Sequence, residues 1–182
     1  MTSSGTTSSA DPAGLAEIAD AVVGLGERLR NAASDTLVEA VIGYAVEALP
    51  GARWASITTL RQGRFRTLAA TGETACAADA LQYELGGGPC VDTVLEDSVH
   101  CSPDLAHDPR WPVYGARVAE DLGVRSALAY RLTLVSDPDL IAGLNLYSDV
   151  TDAFDAHTQW AGTLLATHAG WAVSMELSRQ RA

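Results

Sequence analysis

The chain has 182 residues, enough for one domain with a full core, and its 47% hydrophobic and 19% charged residues are those of an ordinary globular protein. Its 23 acidic and 12 basic side chains give a net charge of −11, which repels a phosphate backbone and argues against nucleic acid as a direct partner. Every basic residue is Arg, and three cysteines (Cys76, Cys90, Cys101) form no even framework, so reduced thiols are expected.

Residues 1–12 are almost all Ser, Thr, Gly and Ala and read as a disordered tail, with the folded domain over 13–182. There is no secretory pattern and no run long enough to span a membrane, so a cytoplasmic protein with no membrane partner is expected. Leu15, Ile18, Val22, Leu25 and Leu29 fall at helical spacing and predict a first helix. Thr36-Leu37-Val38-Glu39 is a capping box opening a second helix, which stops at Pro50-Gly51 with Leu37, Val41, Tyr44 and Ala48 as its apolar face.

Trp54 to Leu60 and Phe65 to Thr71 flank the turn Arg61-Gln62-Gly63-Arg64 and predict a hairpin. Thr74 to Asp121 reads as short helices and loops, with Val99 to Ser102 extended and Tyr114 to Leu122 helical up to Gly123. Val124 to Leu132 and Leu140 to Ser148 form a second hairpin turning at Ser136-Asp137-Pro138-Asp139. A long helix from Asp155 to Arg179 closes the chain. It carries the stripe Trp160, Leu164, His168, Trp171, Met175, whose surplus apolar length, with the first helix, predicts a homodimer packed as a helical bundle.

Strand alternation puts Ala142, Leu144 and Leu146 on one sheet face, with Val124, Leu128 and Leu132 beside them, to pack on the terminal helices. The other face carries Arg125, Ala127, Ala129 and Arg131 on one strand and Ile141, Gly143, Asn145 and Tyr147 on the other. Small side chains beside polar tips predict a hollow there, lidded by the Thr74 to Asp121 segment.

Several motifs come in fixed order: Leu85-Gly86-x-Gly88-Pro89-Cys90-Val91-Asp92, Asp108-x-Arg110-Trp111-Pro112, Gly123-Val124-Arg125-Ser126, and Gly143 with Leu146-Tyr147-Ser148 followed by Phe154. In this order the chain resembles a GAF domain over roughly residues 13 to 180, most closely those that actinobacteria place before an RNA-binding ANTAR module. The resemblance implies an α+β fold: a central antiparallel sheet with N- and C-terminal helices on one face and a loop and short-helix lid on the other. It also implies a cytoplasmic signal-sensing or regulatory role that is not enzymatic, with a small-molecule ligand over the outer sheet face. The ligand-binding residues would then be Cys90, Trp111, Tyr114, Arg125, Ala127, Ala129, Asn145 and Tyr147. GAF folds accept cyclic nucleotides, haem, tetrapyrroles and small acids, so the cofactor is left unknown. With three residues after Arg179, no ANTAR module is expected to follow, which implies action in trans on a protein partner, action through the dimer interface, or a remnant.

Other chemistry has less support. Gly86-Gly87-Gly88 is either an anion nest or a tight turn starting the Cys90 to Leu95 helix; it has neither a P-loop nor a dinucleotide fingerprint, which favours the turn. Cys90 is either a thiol activated at a helix start or a buried inert one. Free methionine-R-sulfoxide reductases, a GAF branch, have a Gly-x-Cys at a similar place, but Cys101 lies in a strand and not in the later loop that holds that branch's partner cysteine. His100 and Cys101 are adjacent in an extended piece and point apart, which disfavours one metal site. His107 and His157 read as exposed, and His168 as a core or interface residue. No Ser–His–Asp spacing or nucleophile elbow is present. Trp111 is either a cap on the hollow or an anchor for its loop. A purely structural dimer module is the remaining alternative.

Overall fold

The computed structural model describes residues 20, 23–24, 26–28, 37–135, 137 and 139–179. The tail at 1–12, most of the first helix, Thr36 of the capping box, and Ser136 and Pro138 of the second turn lie outside them. Residues 23–24 and 26–28 are helical, and Arg28 pairs with Glu47 of the next helix.

That helix, α1, spans Leu37–Ala48 and buries Leu37, Val38, Val41, Ile42 and Ala45. Its inward face is therefore rotated from the expected one: Tyr44 and Ala48 lie on the flank, half-buried. Hairpin β1 (Trp54–Arg61) and β2 (Arg64–Ala70) follow. Their two-residue connection holds Gln62 at φ 50° and Gly63 at φ 75°, the left-handed pair whose twist matches that of the strands. β5 (Leu140–Ser148) pairs with β1, β4 (Ser126–Leu132) with β5, and β3 (Val99–Ser102) with β4, all antiparallel, in the order β2-β1-β5-β4-β3.

The inner sheet face presents Ala55, Ile57, Leu128, Tyr130, Leu132, Ala142, Leu144 and Leu146 to α1 and to α5 (Ala156–Arg179) in one core. Val124 departs from the expected pattern. It precedes β4 and packs with Trp111 and Tyr114 in a second cluster on the other side. α5 meets the sheet through small residues, Ala161, Gly162, Ala166, Ala169, Gly170 and Ala172, and Tyr130 closes against it by donating to the Gln159 carbonyl at 2.6 Å. The large stripe thus turns outward, with Trp160 64% and Trp171 50% exposed.

Three helices cover the outer face: α2 (Glu73–Leu85), α3 (Pro89–Glu96) and α4 (Pro112–Leu122). A 3₁₀ turn at Leu105–His107 supports α4. This is the expected α+β architecture, except that α2 is one 13-residue helix where short pieces were expected. No helix among the described residues is long and apolar enough to cross a membrane.

Candidate functional site

Register fixes which side chains meet over the outer face. Ser56 stands opposite Asn145 and Thr58 opposite Gly143 across β1–β5, while Asn145 pairs with Ala129 and Tyr147 with Ala127 across β5–β4. The two alanines leave height above the sheet, and α2 fills it by lowering Asp79 and Gln82 onto the strands. Both are fully buried.

Asp79 is the centre. Its Oδ1 accepts from Tyr147 OH at 2.6 Å, Ser56 Oγ at 3.0 Å and Asn145 Nδ2 at 3.2 Å, and its Oδ2 accepts from Thr67 Oγ1 at 2.8 Å. All four donors are uncharged and no cation among the described residues touches the carboxylate, so burial, only partly opposed by these hydrogen bonds, raises its pKa above the usual carboxylate range. Tyr83 OH bridges Thr58 and Thr67 at 2.7 and 3.0 Å, and its ring stacks on Phe65. Two buried polar atoms in this cluster make no hydrogen bond: Asn145 Oδ1 and Tyr114 OH, the latter beside Tyr147 without hydrogen-bond geometry.

Gln82 ties this cluster to the glycine turn. Its Nε2 donates to Tyr147 OH at 2.8 Å, and its Oε1 accepts the Cys90 N–H at 2.8 Å. Gly86 ends α2 in the left-handed conformation, and Gly88, at φ 144°, leaves the space that the Gln82 side chain occupies; a Cβ there would lie 2.8 Å from Gln82 Cδ. The turn thus serves an internal amide, and Pro89 starts α3 at its first turn. The Cys90 thiol is buried between α3 and the sheet, and burial, reinforced by the Asp79 charge, pushes its pKa up. That environment favours the thiol over the nucleophilic thiolate.

The expected hollow is not open: Asp79, Gln82 and Tyr114, all buried, fill the space above Ala127 and Ala129, and of the eight residues expected to line it seven lie on this side of the sheet. Asn145, Tyr147, Cys90 and Tyr114 are at the cluster, Ala127 and Ala129 are beneath the covering helices, and Trp111 is at the margin. Arg125 stands apart. It precedes β4, its carbonyl accepts the Leu105 N–H, and its guanidinium lies 3.7 Å from Asp104. Trp111 anchors its loop: Nε1 donates to Asp92 of α3 at 2.6 Å, the ring meets His100 edge-on, and the Arg110 guanidinium lies 4.2 Å from its centroid. Sequence reading missed Asp79, Gln82, Ser56, Thr58, Thr67 and Tyr83, because polar residues at these positions carry no local sign of burial. The available signal was the outward register of Ser56 and Thr58, facing a helix whose partners are mostly Ala. Among the described residues no group of three His, Cys, Asp or Glu side chains stands close enough to hold a metal ion.

The Trp111 loop contains an ion pair with a pH signature. Arg110 donates to both Asp108 oxygens, Nε to Oδ1 at 3.0 Å and Nη2 to Oδ2 at 2.6 Å, and Ser102 adds a bond at 2.7 Å; together they hold the Asp108 pKa down at about 2. A depressed carboxylate stabilises the fold above its unfolded pKa and loses that contribution as pH falls through the folded value. Because Arg110 is 43% exposed, water screens the pair. Asp108→Asn is therefore expected to unfold about 1–2 kcal/mol more easily than wild type at pH 7, the gap closing from pH 4 towards 2 in urea titrations. A gap that persists at pH 2 would refute the assignment.

Comparison with known proteins places this geometry. The family model for the GAF domain matches residues 31–174. No curated protein sequence matches the chain. Among solved structures the chain is similar to the GAF domain of a phosphoenolpyruvate-protein phosphotransferase from Coxiella burnetii, with TM-score 0.68 and 14% identity over 92% of this chain and 98% of that one. It is also similar to the type II free methionine-R-sulfoxide reductase from Thermoplasma acidophilum, with TM-score 0.61 and 18% identity over 77% and 92%. The free methionine-R-sulfoxide reductase from Neisseria meningitidis, solved with its substrate, gives TM-score 0.62 and 16% identity over 96% of each chain. At these identities the likeness concerns the fold. The expectation that the chain is not an enzyme is overturned by these neighbours, because the same fold carries reductases. Missing triad and nucleophile-elbow patterns rule out particular local geometries of hydrolysis; they do not test reduction chemistry on this scaffold.

Proposed function

Because the chain belongs to the GAF domain family, we propose that it is a signal-input module receiving a small molecule at the Asp79 cluster. The observation that carries this reading is a buried carboxylate with no cation, beside Asn145 Oδ1 and Tyr114 OH that make no hydrogen bond. Buried polar groups are nearly always paired, and an uncompensated carboxylate in a core is costly, so such clusters mark sites more often than scaffolding. Asp79 and Asn145 Oδ1 both accept, which suits a ligand bearing an ammonium or amide N–H. Val94 of α3 stands over Gly143, so entry requires α2 and α3 to lift from β5.

The outward stripe of α5 supplies the output in this reading. Trp160, Trp171 and Met175, at 64, 50 and 38% exposure, form an apolar seam along which two copies pair, and the dimer passes ligand state to a partner protein in a regulatory pathway. Native mass spectrometry of protein from its own host reads subunit count and retained molecule together. The expected result is a dimer carrying a small amine or amide, with Asp79→Asn losing the molecule and Trp171→Glu losing the dimer. A ligand at a hundredfold excess over its Kd should add about 2.7 kcal/mol of stability. A monomer with nothing retained and no gain across a panel of free amino acids and small amines would overturn the reading.

A further inference from the structure

A second polar feature lies on the opposite face of the sheet, at the β1–β2 end. Arg61 pairs in register with both Arg64 and Leu140, and Thr59 with Arg66, so three arginines share the inner face. A bulge between Ile57 and Thr58 leaves Leu68 without a cross-strand partner. Beside the last turn of α5 these residues line a cleft of about 410 Å³ with Leu68, Leu140 and Leu177 as its apolar part. That volume falls in the range of small-molecule sites.

Charge sets the ligand class. Arg61 is held by Asp137, while among the described residues neither Arg64 nor Arg66 has an acidic partner. Three guanidiniums against one carboxylate leave an excess of two positive charges in a chain of net −11. The planar fork of arginine matches a carboxylate through two parallel hydrogen bonds, and the leucines offer surface for a hydrocarbon tail. We propose that this cleft binds a free single-chain amphiphilic carboxylate, its head on Arg64 and Arg66 and its tail against Leu68, Leu140 and Leu177. The site is independent of the Asp79 cluster, from which the sheet separates it.

Calorimetric titration with decanoate, below its micelle concentration, tests the proposal against decyltrimethylammonium and acetate as probes. Wild type is expected to bind decanoate, to bind acetate at least about tenfold more weakly because the tail contacts are gone, and to ignore the cationic amphiphile. The double variant Arg64→Ala/Arg66→Ala should bind decanoate about tenfold more weakly while keeping the wild-type unfolding midpoint, since both side chains are exposed. Asp79→Asn should leave decanoate affinity unchanged, and added salt should weaken it. No decanoate binding, equal binding by the double variant, equal binding of the cationic amphiphile, or binding of an acidic peptide in place of decanoate would each overturn it.

Discussion

Asp79→Ala is expected to lower unfolding stability by about 3–5 kcal/mol, a large share of what a domain of this size has. Four donors would lose their acceptor at once: the buried Tyr147 OH, Ser56 Oγ and Asn145 Nδ2, and the half-buried Thr67 Oγ1. Each orphaned buried donor costs about 1–3 kcal/mol, but the total stays below the sum because some have second partners. Thr67 can turn to Tyr83 and Asn145 to Ser56 and Thr58. Asp79→Asn keeps the shape and part of the acceptor capacity, so its loss should be smaller, and it separates by pH. With the folded pKa raised, the native state keeps its proton to a higher pH than the unfolded chain, which releases it above about pH 4. Wild type therefore loses up to about 1.4 kcal/mol per pH unit until the folded carboxyl also ionises. The asparagine variant lacks this slope. Urea denaturation from pH 4 to 8 reads both, and parallel curves for the two proteins would contradict an uncompensated buried carboxyl.

Gly115→Ala should cost about 3 kcal/mol or more. A Cβ there would collide with the Leu105 carbonyl oxygen and lie 2.7 Å from its carbon, backbone atoms that cannot rotate away. Leu105 cannot yield easily, because it is fully buried and its N–H donates to the Arg125 carbonyl at 2.8 Å. The strain would displace the start of α4, and with it Trp111 and Tyr114, from the cluster. Gly43→Ala in α1 is the control. Among the described residues nothing lies within 4 Å of its added methyl, and removing glycine from a helix interior should be neutral or stabilise by up to about 1 kcal/mol. Equal unfolding midpoints for the two variants would refute the close-packing account.

The hairpins were legible because their causes are local. Gln62-Gly63 supplies two left-handed residues, and alternation along β1, β4 and β5 divides the sheet into a greasy face and a mixed one. α5 was legible as a helix, but its orientation was not. The stripe of Trp160 and Trp171 reads as bundle surface without saying which side meets the sheet, and the sheet accepts the Ala and Gly side because Tyr130 already fills the gap beside Gly162. α1 turned for a similar reason, its smaller Val and Ala positions fitting over β1 while Tyr44 stays on the rim. The Asp79 cluster stayed hidden because its members, from Ser56 to Tyr147, are joined only when α2 folds back on the sheet. Local spacing does not encode that contact, and an Asp among alanines reads as a solvated helix face.

The order β2-β1-β5-β4-β3 leaves two rims, and both are blunted. β3 has four residues, too few to template a long neighbour, and β2 is bent by its bulge and carries Arg64 and Arg66. An incoming strand would find no straight ladder of amides at either margin, the defence that open sheets use against edge-to-edge aggregation. Edge-to-edge pairing of this sheet with a second copy is therefore disfavoured, which leaves side chains as the surface any neighbour would meet.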